Sequence, residues 1–205
     1  NMKLYSKLFI AGLLVSIPMI FADANVPEQF QGFDEKSKYI IEYNDLTALL
    51  KTVVVDVGRS TRKLAKPSQA KTGTMMKSKV KRTTADEANR FYFETFKKNE
   101  AGRQLLSTIR DSLEQLPSEV SLAYFSRDEQ LAYWLNLYNV TLLNELVDIF
   151  PKRNLKKVMV GKKSILSKPL LNVGGVPLSL NDIQFTILKN NYDNNPLVIY
   201  GLYQG

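Results

Sequence analysis

The chain of 205 residues contains neither cysteine nor histidine. Without cysteine there is no disulfide, no thiolate nucleophile, no lipoprotein anchor and no soft metal site. Without histidine the usual general base near neutral pH is missing, and with it every Ser-His or Cys-His pairing. Acid is also in short supply: 20 acidic side chains face 28 basic ones, a formal net charge of +8. That imbalance favours anionic partners or surfaces and carries no information about fold. A long apolar run is lacking too. The longest predominantly apolar stretch, Leu8 to Phe21, has 14 residues and is interrupted by Pro18, short of the ~20 that a membrane helix needs.

What is present is the composition of a folded protein, 44% hydrophobic and 23% charged, with room for one domain of ordinary size. Met2, Lys3 and Lys7 precede the apolar run, and Ala22-Asp23-Ala24 follows it. A basic start, a short apolar core and a small-x-small site read as a secretory signal peptide over residues 1–24. The mature chain then begins at Asn25 and has no transmembrane span; the alternative is an uncleaved anchor. Export places a cysteine-free domain in an oxidising compartment, periplasmic or extracellular, where its hydrophobic core alone must hold it.

The mature chain divides by composition. Residues 25–57 form the N-terminal part of the domain, with a short helix and then an extended segment expected over Tyr39 to Val57. Residues 58–83 belong to a stretch without acid that carries nine basic side chains, Arg59, Arg62, Lys63, Lys66, Lys71, Lys77, Lys79, Lys81 and Arg82. Its apolar periodicity vanishes, so a poorly ordered loop or linker is expected. The main part of the domain, residues 84–205, opens on a capping-box pattern at Thr84 and Glu87. A second helix follows Asn99 and is expected to close at Pro117. Ser126 with Glu129 opens the longest helix, which ends before Pro151. Lys152 to Lys168 is again free of acid. Leu170 to Leu178 reads as a hairpin around Gly174-Gly175, Ser179 and Asp182 start a helix through Lys189, and Pro196 to Tyr203 reads as a buried strand.

On a helical wheel of about 100° per residue, the segment from Ser126 to Phe150 is apolar over most of its circumference. Only Gln130, Thr141, Asn144 and Glu145 form a narrow polar face. A helix of that kind sits inside the domain. Asn136 and Asn139 fall within the apolar arc and must find partners, because a buried amide left unpaired costs about 1–3 kcal/mol. Either these amides tie neighbouring segments to the helix, or they line a polar pocket together with Glu129. Trp134 and Tyr138 read as core aromatics.

Four ordered blocks carry a resemblance. Gln130-Leu-Ala-Tyr-Trp-Leu-Asn-Leu-Tyr-Asn139 is similar to the "FWINLYN" helix of the family called domain of unknown function 547. Tyr43-Asn-Asp-Leu46 resembles its opening "W-x-D-L" segment and Phe150-Pro151 its "YP" helix end. Val173 to Ile183 resembles its "V-x-G-x-x-L-S-L-D-D-I" block. The resemblance covers about Tyr43 to Gly205 apart from the basic stretch, and it implies no activity. Many members place a cysteine near the position of Tyr203, so a thiol mechanism is not expected here. The family pattern also continues past Gly205, which implies further residues at the C-terminus.

The expected fold class is α+β, a buried central helix packed with other helices against a small, mainly antiparallel sheet. Two functional classes compete. The first is a cell-envelope binding or scaffold module whose partner is anionic: a lipid headgroup, a polysaccharide or an acidic protein. Nucleic acid is disfavoured by export and by the lack of interleaved aromatics in the basic stretch. The second is a hydrolase or transferase using Glu129 or Asp182 as acid or base, with Asn136 and Asn139 orienting substrate and further catalytic residues in the continuing C-terminal region. Both carboxylates begin helices, where capping accounts for them without chemistry. No metal or cofactor site is expected.

Overall fold

The computed structural model describes residues 25–55, 90–150, 155–161, 163–192, 195, 198 and 200–203. The signal-peptide reading, the basic stretch and the Thr84–Glu87 box lie outside these residues.

The order of elements is α1 (Asn44–Val53), β1 (Val54–Val55), β2 (Arg90–Phe91), α2 (Glu94–Lys97), α3 (Glu100–Glu119), α4 (Arg127–Ile149), α5 (Lys156–Met159), β3 (Pro169–Val173), β4 (Val176–Ser179), a π-helical segment (Asp182–Leu188) and α6 (Lys189–Asn191). The class is α+β, as the sequence pattern requires. The sheet is two separate antiparallel pairs, β1 with β2 and β3 with β4. The helix beside the hairpin is α3, whose Glu114 accepts the N–H of Asn172 in β3.

Helix α4 is the hub. Tyr133, Trp134, Leu137, Tyr138, Val140, Leu142, Leu143, Leu146 and Val147 are all buried, and only Asp128 and Asp148 are exposed along it. Each fully buried large apolar side chain contributes about 1.5–3 kcal/mol of transfer free energy, so the helix is held by its surroundings rather than by propensity. Trp134 meets Phe30 edge-on at 5.0 Å and Tyr133 at 5.0 Å.

The polar face expected of α4 is corrected at two positions. Gln130 is 2% and Thr141 0% exposed, because the N-terminal segment and neighbouring elements close over the helix on that side as well. Asn144 and Glu145 are half-buried.

Pro117 does not close α3; the helix continues to Glu119. A proline inside a helix withholds the N–H that the carbonyl four residues earlier would accept. Here that carbonyl belongs to Leu113, and the buried Tyr133 hydroxyl donates to it at 2.9 Å. A tertiary hydrogen bond from α4 thus replaces the missing helical one, and α3 runs on.

The hairpin forms as its glycines demand. Val173 pairs with Val176 across the two-residue turn, and Gly174 and Gly175 take φ of +54° and +86°, both in the left-handed region where a side chain is strained. The buried strand expected over Pro196 to Tyr203 is absent among its described residues. Val198 donates to the Asn195 carbonyl and Gly201 to that of Val198, the short-range bonds of a helical turn, and Tyr200 is exposed. Arg90 and Phe91 likewise form a strand with β1 where helix was expected to resume.

Candidate functional site

The first turns of α4 gather three irregular segments. Ser126 caps the helix, its Oγ accepting the Glu129 N–H at 3.3 Å. The Glu129 carboxylate does not return to the cap. It accepts the N–H of Ile41 at 3.2 Å, fastening the chain just before α1. Two turns along, the Asn136 carboxamide approaches the Tyr43 hydroxyl. That hydroxyl is buried and closes no hydrogen bond among the described residues. Burial pushes Tyr43 up to about 12; Asn136 opposes the shift and the Glu129 charge adds to it. Tyr133 is also raised, by burial first and then by Tyr43. Both phenols are therefore neutral at physiological pH.

Of the four sequence-predicted residues, Glu129 and Asn136 are brought together around Tyr43. Asn139 is not. Its Nδ2 donates to the Gly201 carbonyl at 2.8 Å, and its Oδ1 accepts the Tyr203 N–H at 2.7 Å. One carboxamide thus mimics a peptide unit and holds the C-terminal segment to α4. Asn136 and Asn139 are half-buried rather than enclosed in hydrocarbon as expected, because irregular chain crosses the helix at both places. Asp182 opens the π-helical segment just after β4, and its Oδ2 accepts from Ser179 N at 2.8 Å and Ser179 Oγ at 2.6 Å, while Ser179 Oγ accepts the Asp182 N–H at 3.2 Å. This is a complete reciprocal capping box. The two candidate carboxylates thus serve as acceptors for main-chain donors at separate places.

Gln130 is the residue that sequence reasoning misplaced. Its Nε2 donates to the Leu122 carbonyl at 2.7 Å and to the Gly32 carbonyl at 2.9 Å, with a longer contact to Phe125 at 3.4 Å. Arg127 was passed over as well. It donates from Nη2 to the Asn191 carbonyl at 2.9 Å, and its guanidinium lies over the Phe33 and Tyr192 rings at 5.8 and 5.4 Å. A cation at the last carbonyls of α6 also opposes the negative end of that helix. Neither role has a local sequence signal, since every partner is distant in the chain or non-helical.

Two grooves border these elements. One, of about 300 Å³, runs between α1 and α3 with Tyr43 on its wall. The other, of about 290 Å³, lies between the π-helical segment and the C-terminal residues, lined by Phe185, Leu188, Lys189, Val198 and Leu202. No cluster of three or more potential metal ligands occurs among the described residues, and no described helix is long and apolar enough to cross a membrane.

Residues 122–203, from the turn before α4 to the end of the segment clamped by Asn139, match the model of the family described as a protein of unknown function, DUF547. The chain carries a DUF547 domain. No curated protein and no solved structure matches it. Glu129, Asn136, Asn139 and Asp182 all lie in the matched DUF547 residues, whereas Tyr43 and Ile41, which meet the first two, precede them.

Proposed function

We propose that this DUF547-domain protein is exported and acts as a binding or scaffold module on an anionic component of the cell envelope. The observation that carries the reading is the use made of Glu129 and Asp182. Both carboxylates accept main-chain N–H groups, so the two acids that the sequence offered to a hydrolase or transferase are engaged in holding the backbone. The remaining chemical asset is positive charge, +8 overall with nine basic side chains from Arg59 to Arg82. Each basic residue near an anionic surface contributes up to about 1 kcal/mol, and the attraction fades within a Debye length. The hydrolase or transferase reading draws on the convergence of Tyr43, Asn136 and Glu129, a set that offers hydrogen bonds but pairs no acid with a base.

The test uses the chain as an exporting cell processes it. Intact mass should show an N-terminus at Asn25. The purified protein should sediment with anionic vesicles or envelope polysaccharide at low salt and be released near ~0.5 M, where screening leaves a range of only a few Å. Retention that is unchanged when the nine basic residues from Arg59 to Arg82 are neutralised overturns the proposal.

A further inference from the structure

The loop that follows α4 is a pinned, basic turn. Seven lysine and arginine side chains fall between Lys152 and Lys168, and no acid occurs from Ile149 to Asn181. Leu155, Val158 and Met159 pack against the core, and Ile165, in the short 3-10 turn Ile165–Ser167, is buried in it. Buried Ser164 ties the bend between them. Its N–H donates to the Gly161 carbonyl at 3.0 Å, and its Oγ donates to the Met159 carbonyl at 2.7 Å and accepts the Leu166 N–H at 3.1 Å. Gly161 takes φ of +94° at the bend. With its other apolar side chains drawn inward, the turn holds Val160 outward, 64% exposed, between exposed Lys157 and Lys163. From α4, Glu145 faces Lys168, with Asp148 beside it, so the third exposed lysine of the loop is compensated. Lys157 and Lys163 join no ion pair among the described residues.

We infer that the turn from Lys157 to Lys163 seats in the interfacial layer of an anionic phospholipid bilayer. The inference rests on the envelope-binding reading and names both the contact surface and the anion. Two lysines on either side of an outward valine match a surface that offers phosphates and, beneath them, acyl chains. The ammonium groups stay with the phosphates while their stems lie along the apolar layer, and a weak apolar insertion adds to a weak attraction of charge. A polysaccharide satisfies the lysines and leaves the valine in water. Because Ser164 already fixes the bend, binding costs little ordering of the loop. The position of the turn also sets an orientation. Leu155 lies with Ile149 and Phe150 at the last turn of α4, whereas the segment carrying exposed Tyr39 is fastened at the first turn. At about 1.5 Å per residue, the 23 residues of α4 keep Tyr39 about 30 Å from the inserted turn, out of the bilayer.

The test uses the purified protein with Val160→Trp, and Tyr39→Trp as the exposed control at the far end of α4. The native Trp134 is fully buried and gives a constant background. On anionic vesicles whose lipids are brominated near the headgroup end of the acyl chains, Val160→Trp should be blue-shifted and quenched and Tyr39→Trp should not. Lys157→Gln with Lys163→Gln, residues 59–82 being left intact, should weaken affinity for anionic vesicles about tenfold at low salt, and the difference should vanish near ~0.5 M. Bound protein with Val160→Trp unquenched, or with affinity untouched by the lysine pair, overturns the proposed contact while leaving charge-driven envelope binding in place. A blue shift of Val160→Trp produced by envelope polysaccharide or by an acidic protein without lipid also overturns it. Failure to bind any anionic surface at low salt removes the envelope-binding reading itself, and this inference with it.

Discussion

Gln130 donates to two main-chain carbonyls from the buried side of α4: that of Gly32, and that of Leu122, which also accepts the Phe125 N–H. Gln130→Leu keeps the volume and removes the donors; the Gly32 carbonyl loses this partner while that of Leu122 keeps the Phe125 N–H, so unfolding free energy should fall by about 1 kcal/mol, read from the urea midpoint. An unchanged midpoint would mean that Gln130 is not a clamp. Glu145 gives a test through pH. Burial, and then Asp148, raise its pKa, with Lys168 and Arg110 opposing. In that range the folded state binds more protons than the unfolded one, so this carboxylate lowers stability as pH rises from the unfolded value of about 4.3 through the raised folded value. Glu145→Gln should be more stable than the parent at pH 7, and the gap should close below pH 4. Residue by residue, the sequence disclosed the apolar members of α4 but not the fate of its polar ones. A wheel reports which side a residue occupies; it is silent on whether chain from residues 25–43 returns to cover that side.

Elements fared better where the signal was local. The glycine pair at 174–175 and the Ser179–Asp182 box were legible because the partners lie within four residues. For the box, a double-mutant cycle of Ser179→Ala and Asp182→Ala should give a coupling of about 1 kcal/mol, and additive effects would argue against reciprocal capping. Pro117 misled because its cost is met from outside α3, by Tyr133. The C-terminal stretch misled for a related reason: its apolar content suits a strand, yet none of the described strands pairs with its described residues, and its backbone is held by a side chain of α4. Asn139→Ala should therefore lower hydrogen-exchange protection of the Tyr203 N–H about tenfold, equivalent to about 1.4 kcal/mol, and leave protection within α4 unchanged. Equal loss in both would show the segment and helix opening as one unit. The site was half legible on the same grounds. Glu129 and Asn136 stood out as polar residues on a buried helix, whereas Tyr43, the group they meet, comes from another element.

For the molecule as a whole, one helix organises both ends of the described chain. Its first turns fasten residues 25–43, and Asn139 fastens residues 201–203, so the DUF547 match over residues 122–203 takes in the hub and the C-terminal clamp but not the segment the hub holds at the N-terminal side. The α+β class and the family were recoverable because they rest on ordered blocks of sequence. The proposed function rests instead on the charge of a strongly basic chain, in which Glu129 and Asp182 are held by main-chain N–H groups. The most direct measurement is equilibrium binding of the purified protein to anionic and to uncharged vesicles as salt is raised. The account predicts tight binding to the anionic vesicles that falls steeply and is lost near ~0.5 M salt, with little binding to uncharged ones. Equal affinity for the two at every salt concentration would contradict it.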